Sequence, residues 1–307
     1  MQLRQNNLNL FYFSVIFSTI FMGSSFPTGK YLISIEHAPP FFIGGWRFLI
    51  AGLMMILVTM ATNGTKSAIP TTNKSFFKGW TLVSTIGLLQ TTGTMGFLNL
   101  AMAHGLSSSV SSIILFTNPL WLAVLAHFIL NDHLNIWKFF ALLLGISGVI
   151  ICLGLDKTAF GIGAFYALLG SFCWSLNTIV TKTIPFDKGP WIFTGWQLTM
   201  GGLFMLFLAV INHEEYNLLT LNFNGWFDFI WLIIPASIGS FGLWFLSLRL
   251  GGATITSSFL FLVPVFSTIF SIIWLHEPFT ISLIIGGILV VVSLVLVNKQ
   301  KNNKGVK

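Results

Sequence analysis

Apolar residues fill this chain in long, nearly uncharged blocks separated by short polar stretches. A helix needs about 20 apolar residues to cross the hydrocarbon core of a bilayer. On that measure the blocks predict ten spans, at residues 10–30, 41–61, 77–98, 106–130, 135–155, 161–181, 190–211, 226–248, 254–275 and 279–298. Residues 79–131 contain no Asp, Glu, Lys or Arg. That is too long for one span, so His104–Gly105 is predicted as a tight turn between two. Residues 250–276 are likewise uncharged, and Gly251–Gly252 marks the turn before the ninth span. Unpaired backbone cannot face lipid, which makes the blocks helices rather than open strands. Residues 8–24 have the look of a signal peptide with Arg4 ahead of it, but their counterpart at 161–181 assigns them to the fold. The longest loops, 62–76 and 212–225, leave no room for a soluble catalytic domain.

Composition agrees with the pattern. Of 307 residues, 55% are hydrophobic and 7% charged, with a mean hydropathy of +0.86, against roughly 25% charged in soluble domains. The net charge of +7 is spread thinly and forms no patch for nucleic acid. With the N-terminus in the cytoplasm, twelve basic residues fall on the inner side (Arg4, Lys66, Lys74, Lys78, Lys138, Lys182, Lys188, Arg249, Lys299, Lys301, Lys304, Lys307) and three on the outer (Lys30, Arg47, Lys157). That is the positive-inside bias of an N-in, C-in protein. Glu36, Asp156, Glu214, Glu215, Asp228 and Glu277 then fall outside. Cys152 and Cys173 lie in apolar runs and read as free buried thiols.

The chain also repeats itself. Gly45–Trp46 recurs as Gly195–Trp196, Pro119 as Pro264, and Leu130–Asn131–Asp132 as Leu275–His276–Glu277. Five spans per copy is an odd number, so the second copy must enter the membrane from the other side. The expected fold is an all-α integral membrane protein of ten transmembrane helices, arranged as two inverted five-helix repeats at 10–155 and 161–298 with a basic cytoplasmic tail at 299–307. The copies share more: Met22-Gly-Ser-Ser-Phe26 then Lys30, against Cys173-Trp-Ser-Leu-Asn177 then Lys182; Gly45 to Gly52 against Gly195 to Gly202; Ser107 to Pro119 against Gly252 to Pro264; and closing small-residue helices at Ala141 to Gly148 and Gly286 to Ser293. This pattern resembles the drug/metabolite transporter superfamily, specifically the ten-helix EamA-type exporters with two EamA repeats, over essentially the whole chain. Helix one departs from the family in carrying Met22 where a tryptophan usually precedes the glycine, while the second half keeps Trp174. The resemblance implies a central cavity that opens to one side at a time, and export of amino acids and related small metabolites; some relatives carry purines or other solutes.

Polar groups in hydrocarbon are costly and face the bundle interior. Gln90, Asn118, Asn177 and Gln197 lie within predicted spans, and Asn99 directly follows the third. Each either bonds a neighbouring helix, at roughly 0.6 kcal/mol, or lines a cavity; Asn177, one turn from Trp174 as Ser25 and Phe26 lie in helix one, is the leading candidate. Trp174 and the deeper Phe26, Trp121, Phe241 and Trp244 would give a cavity an aromatic wall, or else pack against lipid. Trp46, Trp80, Trp137, Trp191, Trp196, Trp226 and Trp231 fall near span ends and read mostly as interface anchors. Arg47, inside the second span, is expected to pair with Glu36 or a carbonyl and snorkel outward, its alternative being contact with an anionic substrate group; its repeat partner Gln197 lacks the charge. Lys30 and Lys182 read as helix-end anchors. Pro119 and Pro264, predicted near the middle of helices four and nine, are either static kinks or hinges for alternating access.

No Asp or Glu is expected at mid-membrane depth, which argues against multidrug-cation/proton antiport. His104 and His127 sit near opposite ends of spans and make poor central relays. No metal-ligand spacing, nucleotide loop or catalytic triad appears. The reading is a multi-pass secondary transporter of the plasma or inner membrane and not an enzyme. Its partners are a small-molecule substrate and the bilayer, without nucleic acid, metal or cofactor, and with a monomer as the working unit. An importer or exchanger of another organic solute, such as a purine, or a non-transport membrane protein are the alternatives.

Overall fold

Residues that offer the backbone no polar partner leave it to satisfy itself, and a helix does so locally. The computed structural model describes residues 2–71, 75–130, 136–153, 161–183 and 189–302, and these are helical almost throughout. The α-helices are α1 (Gln2–Ser34), α2 (Pro40–Asn63), α3 (Phe76–Ile86), α4 (Phe97–Ala103), α5 (Ser108–Leu115), α6 (Asn118–Leu130), α7 (Ile136–Leu153), α8 (Ile162–Thr183), α9 (Pro190–Ile211), α10 (Phe223–Ile233), α11 (Ser240–Ser258), α12 (Leu262–Leu275) and α13 (Ile281–Asn302). Among the described residues, seven runs are long and apolar enough to cross a membrane: Asn7–Ser34, Pro40–Asn63, Ser108–Ile129, Ile162–Thr181, Pro190–Ile211, Phe223–Gly252 and Ile255–Leu275. Phe139–Leu153 and Ile281–Ser293 are shorter apolar helices. Asp132, Asp156, Lys74, Lys157, Lys188 and the tail beyond Asn302 lie outside the described residues.

Local sequence explains the ends. α2 and α9 both begin with proline in the first turn, where its missing N–H costs nothing. The turn expected at His104–Gly105 is present, with Gly105 at φ +88°, and the one at Gly251–Gly252 falls on Gly252 at φ +75°. Three further turns place a histidine in the left-handed region, His37, His213 and His276. In each, the next residue's N–H closes back onto the preceding helix: Ala38 to Leu32, Glu214 to Ala209 and Glu277 to Ser271.

Two departures from the sequence pattern matter for the site. The third predicted span is one continuous helical run, Phe76–Ala103, but its middle, Gly87–Gly96, is π-helical. A second π-helical segment, Ile234–Gly239, joins α10 to α11 at a comparable place in the other half. The prolines are the second departure. The fourth and ninth spans are broken just before them, at Phe116–Thr117 and by a 3₁₀ turn at Phe259–Phe261, so Pro119 and Pro264 sit in the first turns of α6 and α12 and not in mid-helix. Proline fits there because a first-turn residue needs no intrahelical N–H bond.

The helices meet through small residues. α2 and α9 form the most extensive pair, α7 and α13 the next. A Cβ on Gly52 would lie 2.6 Å from the Gly195 carbonyl and clash with Thr199; one on Gly202 would lie 2.6 Å from the Leu49 amide. Across the other pair, a Cβ on Gly148 would lie 2.8 Å from the Gly286 carbonyl. Without a hydrophobic drive between helices in lipid, such backbone contact is a main source of association. Gly52→Leu should therefore abolish the monodisperse peak of the detergent-solubilised protein in size-exclusion chromatography. Gly189→Ala, with open space at the added methyl, should leave the peak and the unfolding temperature within about 0.5 kcal/mol of the parent.

Candidate functional site

α8 enters the interior beside the π-helical segment of the first half and the broken α5–α6 span. The break needs help, because its backbone is not fully paired within the helix. Ser175 donates its hydroxyl to the Asn118 carbonyl at 2.7 Å, and Thr117 and Ser171 hydroxyls meet at 3.2 Å. Two residues further along α8, Asn177 donates its amide to Gln90 Oε1 at 2.8 Å. Gln90 reaches it from the π-helical segment. The carbonyl oxygen Oδ1 of Asn177 is buried and has no partner, an open acceptor in a place where buried acceptors are nearly always paired.

An aromatic wall stands next to this amide pair. Phe116 contacts the Trp174 ring edge-on at 5.2 Å and Phe26 at 6.4 Å. Phe26 is buried and Trp174 half-buried. Phe241 packs against the same core as Trp174 and stacks on Phe245 at 6.2 Å. Residues 241–246 of α11, Trp244 among them, are all half-buried. Phe116 and Pro264 also line a cavity of about 520 Å³ between α5, α12 and α13, walled otherwise by apolar residues such as Phe261, Leu283 and Gly287 and by Thr268.

The other candidates have structural partners. Asn99 donates to the Pro40 carbonyl at the start of α2, 3.0 Å away. Ser25 donates to the Met22 carbonyl within its own helix. Lys30 donates to the Met102 carbonyl at the end of α4, at 2.7 Å, an interhelical contact beyond simple anchoring. Arg47 departs from expectation: its Nε donates to Ser237 in the second π-helical segment at 3.3 Å, the guanidinium lies 4.5 Å from the Phe48 ring centre, and no carboxylate among the described residues pairs with it. Glu36 cannot serve, since its carboxyl is directed onto Gly225 of α10. The rest of the Arg47 guanidinium is therefore left without a carboxylate partner among the described residues.

Three tryptophans expected at the lipid interface instead tie helices together. Trp191 donates to the Met55 carbonyl at 3.2 Å, Trp231 to Ser24 Oγ at 2.9 Å and Trp196 to the Ala68 carbonyl. A buried indole N–H finds a partner; in each case the partner sits on a helix remote in sequence, which single-sequence spacing does not reveal. Cys152 and Cys173 are free thiols, as expected.

Two glutamates fasten helix N-termini. Glu277 accepts the N–H and hydroxyl of Ser108 at 2.7 and 2.6 Å, and those of Ser109 at 3.2 and 2.6 Å, at the N-terminus of α5. Glu214 accepts the Phe42 N–H at the N-terminus of α2 at 2.8 Å. Burial pushes its carboxyl above the usual carboxylate range, against backbone N–H groups of Phe42 and Phe41 that draw it down. Carboxylates at helix N-termini satisfy orphan donors and the helix dipole together. Glu277→Gln should lower the unfolding temperature in detergent by an amount equivalent to ~1 kcal/mol, whereas Glu215→Gln, at an exposed position, should leave it unchanged.

Comparison with known proteins draws these features together. The EamA-like transporter family matches residues 9–154 and again 161–299. A WAT1-related chloroplastic protein of Arabidopsis thaliana is 29% identical over 92% of this chain and 68% of its own length. The uncharacterised transporter YvbV of Bacillus subtilis (strain 168) is 28% identical, covering 94% of this chain and 92% of that one. A crystal structure shares the fold at a TM-score of 0.61 and 17% identity, over 92% of this chain and 94% of the other. With both halves matched, the chain belongs to the EamA-like transporter family and contains two EamA-like repeats.

Proposed function

We propose that the protein is a secondary transporter of the plasma or inner membrane, exporting small carboxylate-bearing metabolites such as amino acids or their analogues by alternating access. The observation that carries this reading is Arg47, an interior guanidinium held by Ser237 and left without a protein carboxylate. A substrate carboxylate supplies the missing anion, in the bidentate geometry a guanidinium favours. The aromatic wall of Phe26, Phe116 and Trp174 suits an apolar side chain, and the open acceptor of Asn177 suits an ammonium or amide donor. In this reading the chain has ten membrane helices in two inverted repeats, residues 10–155 and 161–298, with both termini and the basic tail at 299–307 in the cytoplasm. The pairing of α2 with α9 and of α7 with α13, each helix against its repeat mate, supports a pseudo-twofold arrangement. The glutamate-fastened outer ends and the half-open cytoplasmic stretch of α11 fit a cavity facing inward, ready to load substrate for export.

A purine or similar planar heterocycle is the second reading, favoured by the amide pair Gln90–Asn177 beside an aromatic wall.

Overexpression should lower the cellular content of radiolabelled amino-acid analogues and raise resistance to toxic ones. Unchanged content across a panel, with the protein present in the membrane, rejects the amino-acid reading, and a change confined to purine analogues selects the second. Arg47→Gln should weaken uptake into the site by about 10- to 100-fold for carboxylate substrates, the worth of one hydrogen bond to a charged group, and leave uncharged substrates unaffected. Pro264→Ala should slow transport at normal expression. Equal rates for the two proteins would reject the break before α12 as a moving part.

A further inference from the structure

Asp228 lies in α10, five residues past its start, and is completely buried. Among the described residues neither of its carboxyl oxygens has a close hydrogen-bond partner, and the donor that approaches them is the Trp274 indole N–H of α12. One turn earlier on the same face is Gly225, and a Cβ there would lie 3.0 Å from the Glu36 carboxyl carbon. The missing side chain at Gly225 thus makes the seat into which α1 directs Glu36, and Glu36 Oε1 is buried and unpartnered as well. The half-buried Glu36 carboxyl of the first half thus lies beside the wholly buried Asp228 of the second, close enough for the two to interact electrostatically. Trp274 of α12, itself 44% exposed, faces Asp228 and stacks on Phe227 at 6.1 Å.

Among the described residues no lysine or arginine balances them, and His37, next to Glu36, is exposed. From α1, Lys30 is turned to the Met102 carbonyl of α4. From α2, Arg47 is turned to Ser237. From the segment between α9 and α10, Tyr216 gives its hydroxyl to the Glu36 carbonyl at 3.0 Å and Glu214 takes the Phe42 N–H. An ionised carboxylate out of water is tolerated only with a counter-charge, and a second carboxylate beside it sharpens the demand.

We propose that Glu36 and Asp228 form a binding site for a small monovalent cation, a proton or a sodium ion, at the outer end of the α1–α10 interface. The site spans the two halves, so separating α1 from α10 wets it and releases the cation, and closing them retains it. This couples cation occupancy to the state of the outer face. The site stands on its own geometry and does not depend on which substrate the transporter carries.

The test uses the purified full chain in detergent, with the unfolding temperature read as ligand-linked stability. It is titrated with pH at constant choline chloride, and with sodium chloride against choline chloride at constant pH. The parent's unfolding temperature should rise with the logarithm of the cation concentration in one of the two titrations. A rise on acidification without a sodium effect assigns the proton, and a sodium-specific rise assigns sodium. Asp228→Asn, close in shape and uncharged, should raise the unfolding temperature in the absence of cation and remove that dependence, and Glu277→Gln should retain it. Curves for Asp228→Asn parallel to the parent in both titrations, or a parent flat in both, overturn the site. If Asp228→Asn does not yield folded protein, Glu36→Gln is held to the same two outcomes.

Discussion

Everything in this bundle rests on how closely α2 can approach α9. In lipid, a leucine gains little by leaving its surroundings for a neighbouring helix, so association relies on packing and on polar contacts. Gly45, Gly52, Gly195 and Gly202 let the two backbones touch, and Gly148 and Gly286 do the same for α7 and α13. These contacts join the first half to the second. Arg47 on α2, Trp191 at the head of α9 and the Gly87 face of the π-helical segment are all carried by that seam, because a Cβ on Gly87 would lie 2.8 Å from the Gly201 amide of α9. A helix pushed outward by one side chain would carry the site residues with it.

The polar contacts follow a second rule. Helix ends inside or near the membrane must have their N–H and C=O groups satisfied, and here the satisfaction crosses between halves. Glu277 and Glu214, both from the second half, fill the N-termini of α5 and α2 in the first. Lys30 takes the carbonyl end of α4, so the α4–α5 corner is gripped at both ends by charges of the appropriate sign.

The sequence was informative where physics is local. α9 runs over the residues its hydropathy predicts, Pro190–Ile211, and the glycine turns fall at Gly105 and Gly252. Apolar length and a glycine at positive φ are properties of a segment alone. It was less informative where partners lie far apart in the chain. Arg47 was expected on Glu36 or a carbonyl and is bound to the Ser237 hydroxyl; Asp228 was grouped with the outer acids and is wholly buried; Trp191 and Trp231 were expected in the interface and donate across the bundle. The proline positions were visible, but not that the break would precede each one, since a first-turn and a mid-helix proline look the same without knowing where the helix begins. Of the candidate site, the pairing of Asn177 with Gln90 and the ring contact of Phe116 with Trp174 depend on α8 crossing the first half, which no spacing within α8 encodes.

The two π-helical segments give the molecule slack that a bundle of plain α-helices would lack. Each winds more residues into a turn than an α-helix does, and each carries one of the interior polar contacts, Gln90 in the first and Ser237 in the second. Shifting either along its helix would swing only the side chains it passes, by about 100° around the helix axis, while the residues on both sides kept their faces. Gln90 and Ser237 would then leave Asn177 and Arg47 by rotation alone. An interior can thus be rewired with little displacement of the surface that the lipids hold.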